Sequence, residues 1–353
     1  MSAMPEGNAI VYCQGAYNTP NGKTAHGLVR RTARYRILSV IDSTYAGQDA
    51  GRIIDGVDRN IPVFSDLKTA LGKQGESATH FVIGLAPDGG RLAAEARRDV
   101  LHAIASGLNI DSGLHDFLSE DEQFVNLAEK YHVKIRDVRK TPQRKHLHFF
   151  SGKIEEVSAF KIAVLGTDSA VGKRTTAWIL SEAFAKDGIK AAFVGTGQTA
   201  WMQGASHCLI LDSLVNDFVS GEIEHAVWSA WHEDNADVII VEGQGSLMNP
   251  AYPGGFEILA AGRPNAVIMQ HAPARVDYDG FPGYPVHPIE KQIEAVQVIS
   301  GKPVIAVTVN HEGMNREEVR AECADIQNRT GLYTTDALLD GAGEIVKIVK
   351  RMM

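Results

Sequence analysis

Short apolar runs alternate with stretches of helical spacing along the whole chain. In the first part, runs at 9–14, 35–41, 61–64, 80–85, 108–110 and 133–137 predict strands. Between them, 91–105 carries Leu92, Ala96, Val100 and Ile104 on one face, and 121–131 carries Phe124, Ala128 and Tyr131, so both predict amphipathic helices. The same alternation returns with strands predicted at 161–165, 190–194, 208–211, 238–241, 266–269 and 303–309. Helices are predicted at 173–186, 217–232, 289–299, 316–328 and 342–350. Strand and helix taking turns imply parallel sheets with helices over their faces.

Residues 140–151 follow neither period, and Pro142 with its basic neighbours marks a junction. A chain of 353 residues exceeds one ordinary core. The expectation is an α/β protein of two domains, 1–145 and 146–353. The first is a Rossmann-like parallel sheet and the second a doubly wound sheet like that of P-loop NTPases. One long stretch, 272–288, has four prolines and three aromatics, and a loop of that length in a compact domain is usually functional.

Composition narrows the function classes. Hydrophobic residues make up 44% and charged residues 22%, an ordinary globular balance. A formal net charge of −8 argues against a general nucleic-acid binder, which needs a basic face. The three cysteines lie far apart without zinc-ligand spacing, which fits a reducing compartment and predicts no metal site. Residues 1–7 lack a basic stretch followed by an apolar one, and no apolar run nears the ~20 residues of a membrane span. A cytoplasmic location with no membrane partner is expected, and homo-oligomers, dimers above all, are the commonest assembly.

The chemistry concentrates at Gly166-Thr167-Asp168-Ser169-Ala170-Val171-Gly172-Lys173-Arg174-Thr175-Thr176, between a predicted strand and a predicted helix. That is the setting of a phosphate loop, whose backbone N–H groups converge on an anion while the lysine adds a full charge. Asp168, Ser169, Val171, Gly172, Lys173, Arg174 and Thr175 are the expected contacts. Five residues separate Gly166 from Gly172, one more than the usual spacing. Arg174 stands where a Ser or Thr normally holds Mg²⁺, and Thr175 comes one place late, about 100° further round the helix. Phosphate binding is therefore expected with an altered metal seat.

Other predicted strands also end in polar groups. Glu242-Gly243-Gln244-Gly245-Ser246 puts a carboxylate and two glycines beside the loop. His271 and Arg275 follow the strand at 266–269, and Gly195-Thr196-Gly197-Gln198-Thr199 follows the one at 190–194. Asp212 reads equally as a site acid or a helix cap. Ligands of open α/β sheets sit beyond the carboxyl ends of the strands, so these residues are grouped as one candidate site. The first domain lacks G-x-G-x-x-G, so no dinucleotide is expected there. Its Lys23 reads as a carboxylate partner or a surface charge.

The loop resembles that of dethiobiotin synthetases. With Asn21-Gly22-Lys23-Thr24-Ala25, Val40-Ile41-Asp42-Ser43, Ser112-Gly113-Leu114-His115, 195–199 and 241–247, the chain resembles over nearly its whole length one bacterial and archaeal family, long known as a domain of unknown function. The resemblance implies a Rossmann-like half followed by a P-loop half. It further implies an N-acetyltransferase that uses acetyl-coenzyme A as co-substrate and D-glutamate as acceptor, opening D-glutamate catabolism. In that reading the loop, with Gly197 and Gln198, binds the coenzyme. Glu242, His271 and Asp212 are the acid–base candidates, and Lys23, Arg275, Gly243 and Gln244 hold the amino acid. The alternative is an ATP- and Mg²⁺-dependent ligase or kinase acting on a small carboxylate.

Overall fold

The computed structural model describes residues 4–74 and 77–353. Of the N-terminal stretch inspected for a leader, residues 1–3 lie outside it. The chain forms two units, one running to Thr141 and including Gln198–Ala205, the other comprising Pro142–Gly197 and Ser206–Met353. The sequence boundary at 145/146 differs by a few residues, and periodicity gave no hint of the eight-residue return.

In the first unit six parallel strands run in the order β3-β2-β1-β4-β5-β6. They are β1 (Gly7–Tyr12), β2 (Tyr35–Ile41), β3 (Val63–Phe64), β4 (His80–Ile83), β5 (Asn109–Ser112) and β6 (Ile135–Asp137). This is the Rossmann order. Strand residues alternate between two cores: Ile10, Tyr12, Phe81 and Ile83 on one face, Ala9, Val11, Val40 and Val82 on the other. Helices α1 (Lys23–Arg30), α2 (Ala50–Asp55), α3 (Leu67–Gln74), α4 (Ala94–Ala105) and α5 (Glu122–Tyr131) lie between them in sequence. α4 begins three residues later than its apolar pattern suggests, because residues 88–90 form a short 3₁₀ turn first.

The second unit has seven parallel strands in the order β13-β12-β11-β7-β10-β8-β9. They are β7 (Phe160–Gly166), β8 (Ala191–Gly195), β9 (His207–Cys208), β10 (Val238–Glu242), β11 (Ala266–His271), β12 (Val304–Val309) and β13 (Tyr333–Thr335). Its helices are α6 (Lys173–Lys186), α8 (Asn216–Asp234), α9 (Phe256–Ala261), α10 (Ile289–Ser300), α11 (Arg316–Thr330), α12 (Ala337–Asp340) and α13 (Gly343–Lys350), while α7 (Gln198–Met202) belongs to the first unit. The core on one face joins Ala163, Leu165, Val241, Val267 and Met269 to residues of α8 to α11. The predicted strand 208–211 is cut to His207–Cys208 because Leu211–Ser213 turns into 3₁₀ geometry. β13 was not predicted at all.

α7 is built into the first unit. Thr199 Oγ1 lies 2.9 Å from Thr24 Oγ1, and Gln203 Nε2 donates to Gly27 O at 2.8 Å. The Arg34 guanidinium stacks 3.8 Å from the Trp201 ring, and Met202 is fully buried in the unit's core.

Candidate functional site

The second unit carries the phosphate loop where the sequence puts it. β7 is a central strand, flanked by β11 and β10, so the loop leaves the sheet between their carboxyl ends. Gly172 caps α6 at φ 108°, a conformation that favours glycine, and Ala170 also has a positive φ of 51°. A Cβ at Gly166 would come within 2.9 Å of both Val171 and Lys173, so the loop folds tightly on its own side chains. Val171 is fully buried, and Thr175 is partly buried on the first turn of α6.

Lys173 is buried and its Nζ donates to Asp168 O at 2.6 Å and Gly245 O at 2.8 Å. It thereby links the phosphate loop to the turn after β10. Asp168 is also buried, and its carboxylate holds the loop's shape. Oδ1 accepts from Ser169 N at 2.6 Å and Asn249 Nδ2 at 2.7 Å, and Oδ2 from Asp279 N at 2.8 Å and Arg275 Nη1 at 2.9 Å. Arg275 also donates to Ser169 O, Ala170 O and Glu312. The residue read as a substrate clamp is thus engaged as a brace of the loop; only its Glu312 contact faces an exposed partner. The proline-rich stretch 272–288 reaches the loop through Arg275 and Asp279.

Glu242 ends β10. Its Oε2 accepts from Thr196 N at 3.0 Å, and its carbonyl accepts from Thr196 Oγ1 at 3.0 Å. Burial raises its carboxyl above the usual range, opposed by the charges of Arg174 and Lys173 and reinforced by Asp212. Asp212 itself sits exposed in the 3₁₀ turn after β9. Gln244 Nε2 donates to Thr196 Oγ1 at 3.2 Å, beside Gly197. A Cβ at Gly243 would meet Val164 O at 2.4 Å, so only glycine lets the chain pass β7 there.

His271, at the end of β11, shares a 2.9 Å hydrogen bond between its Nδ1 and Thr167 Oγ1. Burial, with Arg329 adding to it, lowers the ring to about 4. It is neutral at pH 7.

Asp168, Ser169, Val171, Gly172, Lys173, Arg174, Thr175, Gly197, Asp212, Glu242, Gly243, Gln244, His271 and Arg275 all belong to the second unit. Lys23, exposed at the start of α1, and Gln198, buried at the start of α7, belong to the first. The sequence reading missed Asn249, which fastens Asp168 to the turn after β10 and accepts from Ala251 N and Tyr252 N. Its one trace was the Asn-Pro dipeptide, a turn marker. It also missed Gln270, whose Oε1 accepts from Thr176 Oγ1 and Thr308 Oγ1 while Nε2 lies 3.6 Å from a Cβ built on Gly172. A polar residue inside an apolar strand was its only hint.

A lysine-bearing loop between a central parallel strand and a helix, with an acid closing the neighbouring strand, defines a P-loop protein. The comparisons agree. Residues 148–346 match the P-loop domain, and residues 43–141 the Rossmann-like domain, of the domain of unknown function DUF1611. The chain belongs to the DUF1611 family. It is 30% identical over 275 residues to a D-glutamate N-acetyltransferase of Tritonibacter scottomollicae, covering 76% of this chain and 80% of that protein. It is 31% identical over 276 residues to a D-glutamate N-acetyltransferase of a Pseudoalteromonas species, with the same coverage. The crystal structure of a DUF1611 family protein from Anabaena variabilis superposes with a TM-score of 0.89 at 26% identity, over 98% of this chain and 99% of that one. Among the described residues no helix is long and apolar enough to cross a membrane.

Proposed function

We infer that this protein transfers the acetyl group of acetyl-coenzyme A to the amino group of D-glutamate, as a first step of D-glutamate catabolism. The names of the two relatives suggest an acetyltransferase; the phosphate loop supplies a physical rationale. Coenzyme A contains a diphosphate, which suits the loop's backbone donors and Lys173. Thioester chemistry needs no phosphoryl transfer, so Arg174 in the position of a metal-holding hydroxyl is no handicap. This substitution is the observation that carries the reading.

Within it, Lys173 and Arg174 counter the diphosphate charge, and Glu242 holds Thr196 and the loop that follows β8. The Gly243 N–H is taken by Val164 O at 3.0 Å, so the backbone N–H groups of Gln244 and Gly245 are the candidate donors to the thioester oxyanion. Arg275 can exchange Glu312 for a carboxylate of the amino acid. The free thiols of Cys13, Cys208 and Cys323 suit the reducing cytoplasm.

Glu242 at the end of β10 also stands where a metal-holding acid would, which favours the Mg-ATP ligase as the second reading. One experiment separates the two. Amino acids, including both glutamate enantiomers, are incubated with acetyl-coenzyme A in EDTA and products are read by mass spectrometry. Acetylated D-glutamate is expected. No acetylated product, together with Mg²⁺-dependent ATP hydrolysis stimulated by a carboxylate, would replace this reading with the ligase.

A further inference from the structure

Gln270 of β11 is only 2% exposed, and its amide stands where three elements meet. Its Oε1 accepts from Thr176 Oγ1 of α6 and from Thr308 Oγ1 of β12. Two hydroxyls on one oxygen fix the plane of the amide and leave Nε2 beside Gly172, the residue that caps α6. Among the described residues that nitrogen has no acceptor. Asn310, directly after β12, repeats the arrangement. Its backbone N–H donates to His271 O at 2.7 Å, and its Oδ1 accepts from Glu312 N at 3.1 Å. Its Nδ2 also has no acceptor among the described residues. A Cβ built on Gly172 would lie 3.6 Å from Gln270 Nε2 and 4.0 Å from Asn310 Nδ2, so the two nitrogens converge on one point of the loop.

The backbone adds donors at the same place. The N–H groups of Ala170, Val171 and Gly172 have no acceptor among the described residues. α6, 14 residues long, brings the positive end of its dipole to Gly172. Asp168 does not oppose an anion strongly, because Arg275 offsets its charge. A side-chain amide held in a buried position without an acceptor costs free energy, and a bound acceptor removes that cost.

We propose that Gln270 Nε2 and Asn310 Nδ2 belong to the phosphate cradle and donate to diphosphate oxygens beside Gly172. The proposal rests on the phosphate-loop part of the coenzyme reading and not on acetyl transfer. Arg174 stands where a hydroxyl would seat Mg²⁺, so oxygens that a metal would otherwise cover need other partners. Neutral amide donors meet those lone pairs without a cation.

The rival role is structural. Gln270 would only hold α6 to the sheet through its oxygen, and Asn310 would only cap the turn at Glu312. The roles separate because they use opposite ends of each amide. Gln270→Glu keeps an oxygen for both hydroxyls and turns the donor into an acceptor. Asn310→Asp keeps the acceptor for Glu312 N and loses the donor. Asn310→Ala loses the donor without adding a charge.

Full-length wild type and the three variants, checked for folding by circular dichroism, are titrated in EDTA with inorganic pyrophosphate and separately with acetyl-coenzyme A, and affinity is read by calorimetry. Each variant should bind both probes about ten- to a hundredfold more weakly. If wild type binds pyrophosphate while Gln270→Glu and Asn310→Ala stay within about twofold of it, the amides are structural or show the loop their oxygens, and the proposal is overturned with the phosphate-loop reading intact. If only acetyl-coenzyme A is weakened, the amides meet another part of the coenzyme and the phosphate assignment is wrong. Should Gln270→Glu fail to fold, the two Asn310 variants decide by the same criteria. If wild type binds neither probe, the phosphate-loop reading itself falls and this assignment falls with it.

Discussion

Arg275 Nη1 and Asp168 Oδ2 are 2.9 Å apart, and that contact ties a proline-rich loop to the phosphate loop. The carboxylate is 1% exposed and the guanidinium side chain 11%, so each shields the other's charge from water. Removing one partner of such a pair leaves a buried charge uncompensated. Arg275→Met should therefore destabilise the protein by about 3 kcal/mol, the low end of the usual range, because Asp168 keeps three other donors. Urea unfolding reads the loss, and acetyl-coenzyme A affinity should fall with it. If stability is unchanged and only the KM for the amino acid rises, Arg275 is a substrate clamp and not a brace.

Lys173 brings a full charge to the cradle, and its Nζ already bridges the carbonyls of Asp168 and Gly245. Lys173→Ala should weaken acetyl-coenzyme A binding by about a hundredfold in calorimetry, with EDTA present throughout. Unaltered binding would mean that the coenzyme's diphosphate lies elsewhere.

His271 links folding to acid. Its folded-state value of about 4 is below the ~6.5 of an unfolded histidine. Above pH 6.5 both states are neutral and the stability is complete. Between pH 6.5 and 4 the unfolded chain takes a proton that the folded chain refuses, so stability falls by about 2–3 kcal/mol. His271→Gln should flatten this slope, seen as a smaller shift of the urea midpoint between pH 7 and pH 4.5 than in wild type. Equal shifts in both proteins would remove His271 from the account.

Two glycines near the loop should behave oppositely. Gly245 has φ 51°, and a Cβ there would lie 2.0 Å from Tyr252 O, which is backbone and cannot easily yield. Gly245→Ala should cost more than about 1 kcal/mol and weaken coenzyme binding, since Lys173 leans on the Gly245 carbonyl. At Gly197 the nearest atom is Gln244 Nε2 at 2.8 Å, the end of a flexible side chain. Gly197→Ala should leave the thermal midpoint nearly unchanged. Similar losses in both would show that crowding of the backbone is not what matters.

The phosphate loop was legible because its features are local: an apolar strand, small residues, Gly-Lys and an amphipathic helix in one run. Glu242 and His271 were legible for the same reason, each ending a clear apolar strand. Asp168 was found as a residue but not as the loop's anchor, since its partners Asn249, Arg275 and Asp279 come from distant segments. β13 was invisible because it is only three residues long, too short to carry a period. α1 was missed because Lys23-Thr24-Ala25-His26-Gly27-Leu28-Val29-Arg30 includes a glycine and β-branched residues, and tertiary packing on the sheet overrides that weak propensity.

The excursion of α7 bears on how this protein can be divided. A gene cut between the codons of Thr141 and Pro142 would give neither product all of its own fold. The leading fragment would lack the Met202 that fills its interior, and the trailing fragment would carry that same side chain, with Trp201, stripped of the surroundings each is built for. Inheritance, swapping or tagging of these modules must treat the two as one indivisible cistron, or move eight residues along with the front half.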